Sequence, residues 1–154
     1  MWSSIKQIIK PENFNEAMVL QEPDDSEYFA GGSYLVSQRH PHINTLVDIN
    51  HLLDSDIKVQ DRELMVGAGC TLQELIESGE SDLAKVIVAS CPSKNIRNQR
   101  TLGGEIAEAR TDSDLLIYLH AAEAKVHINE STESTPISEW NNKGIITSIH
   151  ISLN

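Results

Sequence analysis

The chain is poor in cysteine, in aromatic side chains and in positive charge, and each shortage excludes something. Cys70 and Cys91 are its only cysteines. Neither has a C-x-x-C partner or a nearby set of histidines, so they read as reduced, inert thiols of a cytoplasmic protein. Aromatics are 5% of residues, too few for a platform on which single-stranded nucleic acid stacks. Twelve Lys and Arg face 23 Asp and Glu, a net charge of −11. Such a surface repels nucleic acid and anionic membranes. No apolar run approaches the roughly 20 residues that cross a bilayer. The opening Met1-Trp2-Ser3-Ser4-Ile5-Lys6 lacks the charged and apolar regions of a secretory signal. No P-loop sequence is present, which removes nucleotide hydrolysis of that type.

What remains is 154 residues, 40% apolar and 23% charged, enough for one well-cored domain or two small lobes. Helix and strand signals alternate, which points to a mixed α and β architecture. Asn13 with Glu16 opens a helix through Glu22, where Pro23 ends it, with Phe14, Ala17, Met18 and Leu20 or Val19 as its apolar face. Glu27 to Ala30 reads as a strand, Tyr34 to Arg39 as a brief helical or extended piece, and Thr45 to Ile49 as a buried strand. Asp56 to Gln60 and Glu63 to Val66 alternate around Asp61-Arg62 as a hairpin does. Thr71 with Glu74 caps a helix to Ser78, and a second helix runs from about Asp82 to Ala89. Ser93 to Ser113 reads as irregular. A helix from Asp114 to Ala122 follows, then a strand from Lys125 to Ile128 and a hairpin turn from Asn129 to Ser134. The last strand places Ile145, Thr147, Ile149, Ile151 and Leu153 on one face. A boundary near Asp54 to Asp56 divides the chain into a lobe of about 1–54 and one of about 55–154.

Two glycine pairs carry the functional signal: Ala30-Gly31-Gly32-Ser33 and Thr101-Leu102-Gly103-Gly104. Adjacent glycines let backbone N–H groups close around an anion, and each pair has a hydroxyl beside it. Two such loops brought together suit a pyrophosphate, while either alone also reads as an ordinary turn. Lys94, Arg97 and Arg100 precede the second pair, a local reversal of sign that an anionic ligand requires; a solvated charged face is the other reading. Gly67-Ala68-Gly69-Cys70-Thr71-Leu72 imitates the start of a Rossmann fingerprint but has Leu72 where the third glycine belongs. Glu105, Glu108, Asp112 and Asp114 form an acidic cluster with no metal-ligand set around it, and a helix N-terminus explains acids there equally well. His40, His42 and His51 match no metal spacing. No nucleophile, base and oxyanion constellation is found, so no catalytic residue is assigned.

In order and spacing these segments resemble the FAD-binding domain of the molybdenum hydroxylase family, the flavoprotein module of carbon monoxide dehydrogenase and xanthine dehydrogenase. The likeness runs through Pro11 to Glu22, Phe29-Ala30-Gly31-Gly32-Ser33, Leu46-Val47-Asp48-Ile49, Val66 to Leu72 and Ile96-Arg97-Asn98. It continues through Thr101-Leu102-Gly103-Gly104 and Asp114 to the closing strand Ile145 to Leu153. The resemblance implies an α+β fold with two lobes and FAD extended between them, without the family's C-terminal domain. It implies pyrophosphate contacts from Ala30, Gly31, Gly32 and Ser33 and from Thr101, Gly103 and Gly104, with Asp114 at the ribityl region. It further implies an oxidoreductase subunit that passes electrons between iron–sulfur and molybdopterin partners and an acceptor such as NAD.

The chain departs from that pattern at Ser33, where the family has Thr, at Glu105, where it has Asn or Ser, at Glu108, where it has Asn, and at Arg110-Thr111, where it has Ser-Pro. Two carboxylates beside a diphosphate oppose binding unless paired, with Arg100 or Arg110 the available partners. The sequence therefore supports three readings: a flavin-binding electron-transfer subunit, a degenerate member with weak or no FAD binding, kept as a structural or assembly module, or a free-standing nucleotide-binding protein for another diphosphate ligand.

Overall fold

The computed structural model describes residues 2–79 and 81–153. Its first part is a parallel run of β1 (Gln7–Ile9), α1 (Phe14–Gln21), β2 (Ser26–Phe29), α2 (Ser33–Gln38) and β3 (Thr45–Asp48). The strands pair in the order β1-β3-β2, all parallel, and the two helices supply the crossovers that parallel pairing demands. Asn13 caps α1, its side chain accepting the Glu16 N–H at 2.9 Å. The reciprocal bond lands one residue early, with the Glu12 N–H donating to Glu16. Of the expected apolar face only Ala17 is buried, and Val19 is 62% exposed. The strand β1 has no signal in the sequence: it is three residues long, and Ile8 at its centre is exposed.

The second part is antiparallel. The strands β4 (Ile57–Gln60) and β5 (Glu63–Gly67) form the expected hairpin. Asp61 and Arg62 both take positive φ, 50° and 65°, the conformation of a two-residue turn whose twist matches its strands. Five helices follow: α3 (Leu72–Glu77), α4 (Ser81–Ser90), α5 (Lys94–Arg97), α6 (Leu102–Ala107) and α7 (Asp114–Ala121). Then come β6 (Lys125–Ile128), β7 (Ser134–Pro136) and β8 (Ile146–Ser152). The sheet order is β4-β5-β8-β6-β7. Thr71 and Glu74 form a complete capping box on α3, each satisfying an amide the helix itself leaves free.

Two expectations are corrected, and one strand has no counterpart among them. The stretch from Ser93 to Ser113 holds the helices α5 and α6. Neither is long enough to show a period, and two glycines lower the helix propensity of α6. The strand β7 is polar and ends in proline, which suits a sheet edge and conceals it in sequence. The alternation along β8 breaks at Thr147, because His127 pairs with Ser148 while Ile128 pairs with Ile146. This bulge rotates the chain. Ile146, Ile149 and Ile151 enter the core of the five-stranded sheet, while Ile145 turns to Ala17, Val47 and Ile49 beside the parallel sheet.

The larger core packs Leu72, Leu75, Ile87, Leu102, Ile106, Leu115 and Leu119 against Leu64, Val66, Val126, Ile149 and Ile151. Leu53 touches both this cluster and the one around Val47. Helix α6 sits close under the end of β5 because Gly103 has no side chain. A Cβ there would lie 2.7 Å from Ala68 Cβ and 3.0 Å from its carbonyl oxygen. Gly103→Ala is therefore expected to lower stability by roughly 1–3 kcal/mol through overpacking. Adding Ala68→Gly should recover part of that loss in urea denaturation; an undiminished loss in the double variant would refute the contact as its cause.

Candidate functional site

The two glycine segments meet. A Cβ on Gly31 would overlap the Gln99 carbonyl oxygen and approach the Thr101 nitrogen to 3.3 Å. The backbone of the first segment thus lies directly on that of the second. Gly32 caps α2 with φ at 70°, a left-handed conformation that favours glycine, and a side chain there would collide with the Phe29 ring. Beside this junction opens a cleft of about 270 Å³, lined by Ala30, Gly31, Gly32 and Ser33 on one side and Thr101, Gly103 and Gly104 on the other. Seven of the eight expected site residues are thereby brought together. The eighth, Asp114, is exposed in the first turn of α7 and is not among the lining residues.

The two sides of the cleft differ in what they offer an anion. The amides from Gly31 to Tyr34 have no backbone carbonyl partner among the described residues. The amides that open α6 are all engaged. Leu102 N–H donates to the Cys70 carbonyl, Gly103 N–H to Ala68, Gly104 N–H to Thr101 Oγ1 and Glu105 N–H to the Thr101 carbonyl. Gly103 therefore serves close packing, and the four amides that open α6 offer an anion no free donor, unlike those of the first segment. The Rossmann-like run is spent in the same way: Gly67, Ala68 and Gly69 donate to the carbonyls of Asp56, Thr147 and Asp54.

The basic run before the second glycine pair is dispersed by the fold. Arg97 is 8% exposed, its guanidinium donating to the Cys91 and Pro92 carbonyls at 2.7 Å and to Gln73 at 3.0 Å. It satisfies the end of α4 and faces no ligand. Lys94 is exposed and outside the cleft. Only Arg100 lines it, where its Nε donates to Ser33 Oγ at 3.3 Å and its Nη1 lies 3.4 Å from Glu105 Oε2. Arg110 joins it from beyond α6.

The two acids are in unequal positions. Glu105 is 3% exposed, paired with Arg100 and accepting the Ser113 hydroxyl at 2.5 Å. Its charge is compensated within the chain, by Arg100 of the two partners the sequence offers. Glu108 lines the cleft half-buried, and its carboxyl has no hydrogen-bond or ion-pair partner among the described residues. Burial, together with Glu27 and Glu105 nearby, pushes it up to about 7, against the opposing pull of Arg100 and Arg110.

Sequence reasoning missed several lining residues. Glu27 and Tyr28 belong to β2, and His40, Ile49, Leu53, Trp140, Ile145 and Ile146 complete the wall. Glu27 was within reach, since a strand leading into the first glycine pair places its residues beside the loop. Trp140 had no signal, because only the turn between β7 and β8 carries it to a cleft formed by distant segments.

The fold matches chains of solved structures. Cu,Mo-CO dehydrogenase in its cyanide-inactivated form aligns with a TM-score of 0.77 at 20% identity, over 96% of this chain and 59% of that one. Quinoline 2-oxidoreductase from Pseudomonas putida 86 aligns at 0.74 and 19%, again over 96% and 59%. Carbon monoxide dehydrogenase from Hydrogenophaga pseudoflava aligns at 0.73 and 19%, over 97% and 60%. In sequence, the uncharacterized protein YgfM of Escherichia coli (strain K12) is 29% identical over 126 residues, 79% of this chain and 49% of its own length. The chain thus spans about half the length of that curated relative. Residues 3–151 match the model of the FAD binding domain in molybdopterin dehydrogenase, and the chain belongs to that family.

FAD is the family's cofactor, and the residues present fit it. Free amides of the first segment and two guanidinium groups suit its diphosphate, and the apolar wall of Ile49, Leu53, Trp140, Ile145 and Ile146 suits a ring system. At about 270 Å³ the cleft is just below the roughly 300–1,000 Å³ of drug-sized sites, room for part of a dinucleotide.

Glu108 also marks the folded state. It holds its proton up to about pH 7 when folded, while its ordinary value is 4.5. Between those limits the folded chain binds more protons, so this contribution to stability falls as pH rises. Urea midpoints of the parent and Glu108→Gln should diverge in favour of the variant as pH increases from about 5 to about 8, and parallel midpoints would count against the shift.

Proposed function

We propose that this chain is the FAD-binding part of a molybdenum-hydroxylase-like oxidoreductase, moving electrons between an iron–sulfur partner and an acceptor such as NAD. The observation that carries this reading is the convergence of both glycine segments on one cleft bridged by Arg100. In this reading residues of about 1–54 and about 55–154 act as two lobes. Ala30, Gly31, Gly32 and Ser33 hold the diphosphate through backbone amides and a hydroxyl. Thr101 and Gly104 complete the opposite wall, and Gly103 acts by letting α6 approach. Asp114 meets the cofactor only where it extends past the cleft. FAD supplies the redox chemistry, and the protein supplies orientation and electrostatics. The iron–sulfur and molybdopterin partners are those that a flavin domain of this family serves, and substrate chemistry belongs to them.

A second reading has its own observation. Three carboxylates, Glu27, Glu105 and Glu108, line the same cleft, and the α6 amides are already engaged. On this account the chain is a degenerate member that binds flavin weakly or not at all and serves assembly. Titration of the purified chain with FAD, followed by flavin fluorescence quenching, separates the two. The first reading expects saturable binding and a rise in melting temperature with ligand; no quenching at any FAD concentration favours the second. The Glu105→Asn, Glu108→Asn double variant should bind FAD more tightly than the parent if the acids oppose it. It should also lose about 3 kcal/mol of stability, because Arg100 loses its buried partner.

A further inference from the structure

Glu108 is set apart from the other charged groups of the cleft by having no partner among the described residues. Glu105 is held by Arg100 and Ser113. Glu27 accepts the Tyr28 N–H at 3.1 Å. Arg110 is engaged by Asp112 at 3.0 Å. These are the groups that face Glu108 from its surroundings: Glu27 on β2, Glu105 on α6, Arg100 before that helix and Arg110 after it. His40 and Tyr34 line the same cleft. Three carboxylates thus share the space with two guanidinium groups, each already bound to an acid. A dinucleotide diphosphate adds two more negative charges. In a half-buried site such an excess is relieved by neutralising the group that is least compensated.

We propose that Glu108 couples ligand binding to proton uptake, so that the cleft accepts a diphosphate diester only together with a proton on the Glu108 carboxyl. The proton comes from solvent and leaves with the ligand. Once neutral, the carboxyl turns from a repelling acceptor into a hydrogen-bond donor toward a phosphate oxygen. The protonation state of one side chain then sets affinity, and the same position carrying an amide would bind without regard to pH. Free Glu108 changes charge near neutrality, which places the effect in an accessible range. The proposal rests on the reading of this cleft as a dinucleotide site.

The test is calorimetric titration of the full chain with FAD and, separately, with ADP-ribose, a diphosphate diester that has no phosphate titrating near neutrality. Parent affinity should be about tenfold tighter at about pH 6 than at about pH 8. Repeating the titration in buffers of different ionisation heat should show uptake approaching one proton per ligand at the higher pH. Glu108→Gln should bind with the same affinity at both values and take up no proton. Glu27→Gln, which removes one repelling charge, should keep the dependence with its midpoint moved to lower pH. It serves as the second variant if circular dichroism shows Glu108→Gln misfolded. Flat parent affinity without proton uptake overturns the proposal and leaves the FAD site standing. A parent-like pH profile in Glu108→Gln also overturns it and moves the proton to another group. Binding of ADP-ribose alone, with the expected dependence, supports the coupling and removes the flavin. Binding of neither ligand at either pH overturns the dinucleotide reading and the proposal with it.

Discussion

The cleft depends on one backbone contact, that of Gly31 against Gln99 and Thr101. The parallel sheet and the antiparallel sheet have separate cores, and each glycine segment belongs to one of them. The absence of a side chain at Gly31 brings the segments to backbone distance. Arg100 reinforces the junction by reaching Ser33 from the far side. Ile145 and Leu53 do the same with apolar contacts, each drawn from a segment that passes between the sheets. Everything assigned to the cleft, from its free amides to its charge, follows from that proximity.

The same contact assigns different physical roles to glycines that look equivalent in sequence. Gly31 and Gly103 are needed for backbone approach within the chain itself, Gly32 for a left-handed cap, and Gly104 for an open wall with only Thr101 Oγ1 close by. An anion clasp built from both pairs would need free amides on both sides. The first segment has them, whereas the four amides that open α6 are engaged, so the positive charge of Arg100 and Arg110 must act where α6 does not. Arg100 is itself held by Glu105, an arrangement that fixes the guanidinium at the cleft while dividing its charge.

Much of the fold was legible because local chemistry decided it. Asn13, Thr71 and the Asp61-Arg62 turn use side chains and dihedral preferences that act within a few residues. The strands around Val47 and Leu64 were legible through burial, which leaves a periodic trace. The elements that escaped notice leave no such trace: β1 is short and exposed, β7 is polar at an edge, and α5 and α6 are shorter than a readable period. Thr147 shows the other kind of failure, where a bulge dictated by pairing with β6 overrides an alternation that the residues themselves display.

By itself the sequence determined the class of fold, the family and the pieces of the cleft, because family order and spacing are linear properties. Only the tertiary structure decided what those pieces do. Lys94, Arg97 and Arg100 are neighbours in the chain, yet one is solvated, one closes α4 and one lines the cleft. Glu105 and Glu108 are three residues apart, yet one is paired with Arg100 and Ser113 and the other has no partner among the described residues. Charge compensation depends on distance and solvent exposure in three dimensions, and neither quantity is written in the order of residues.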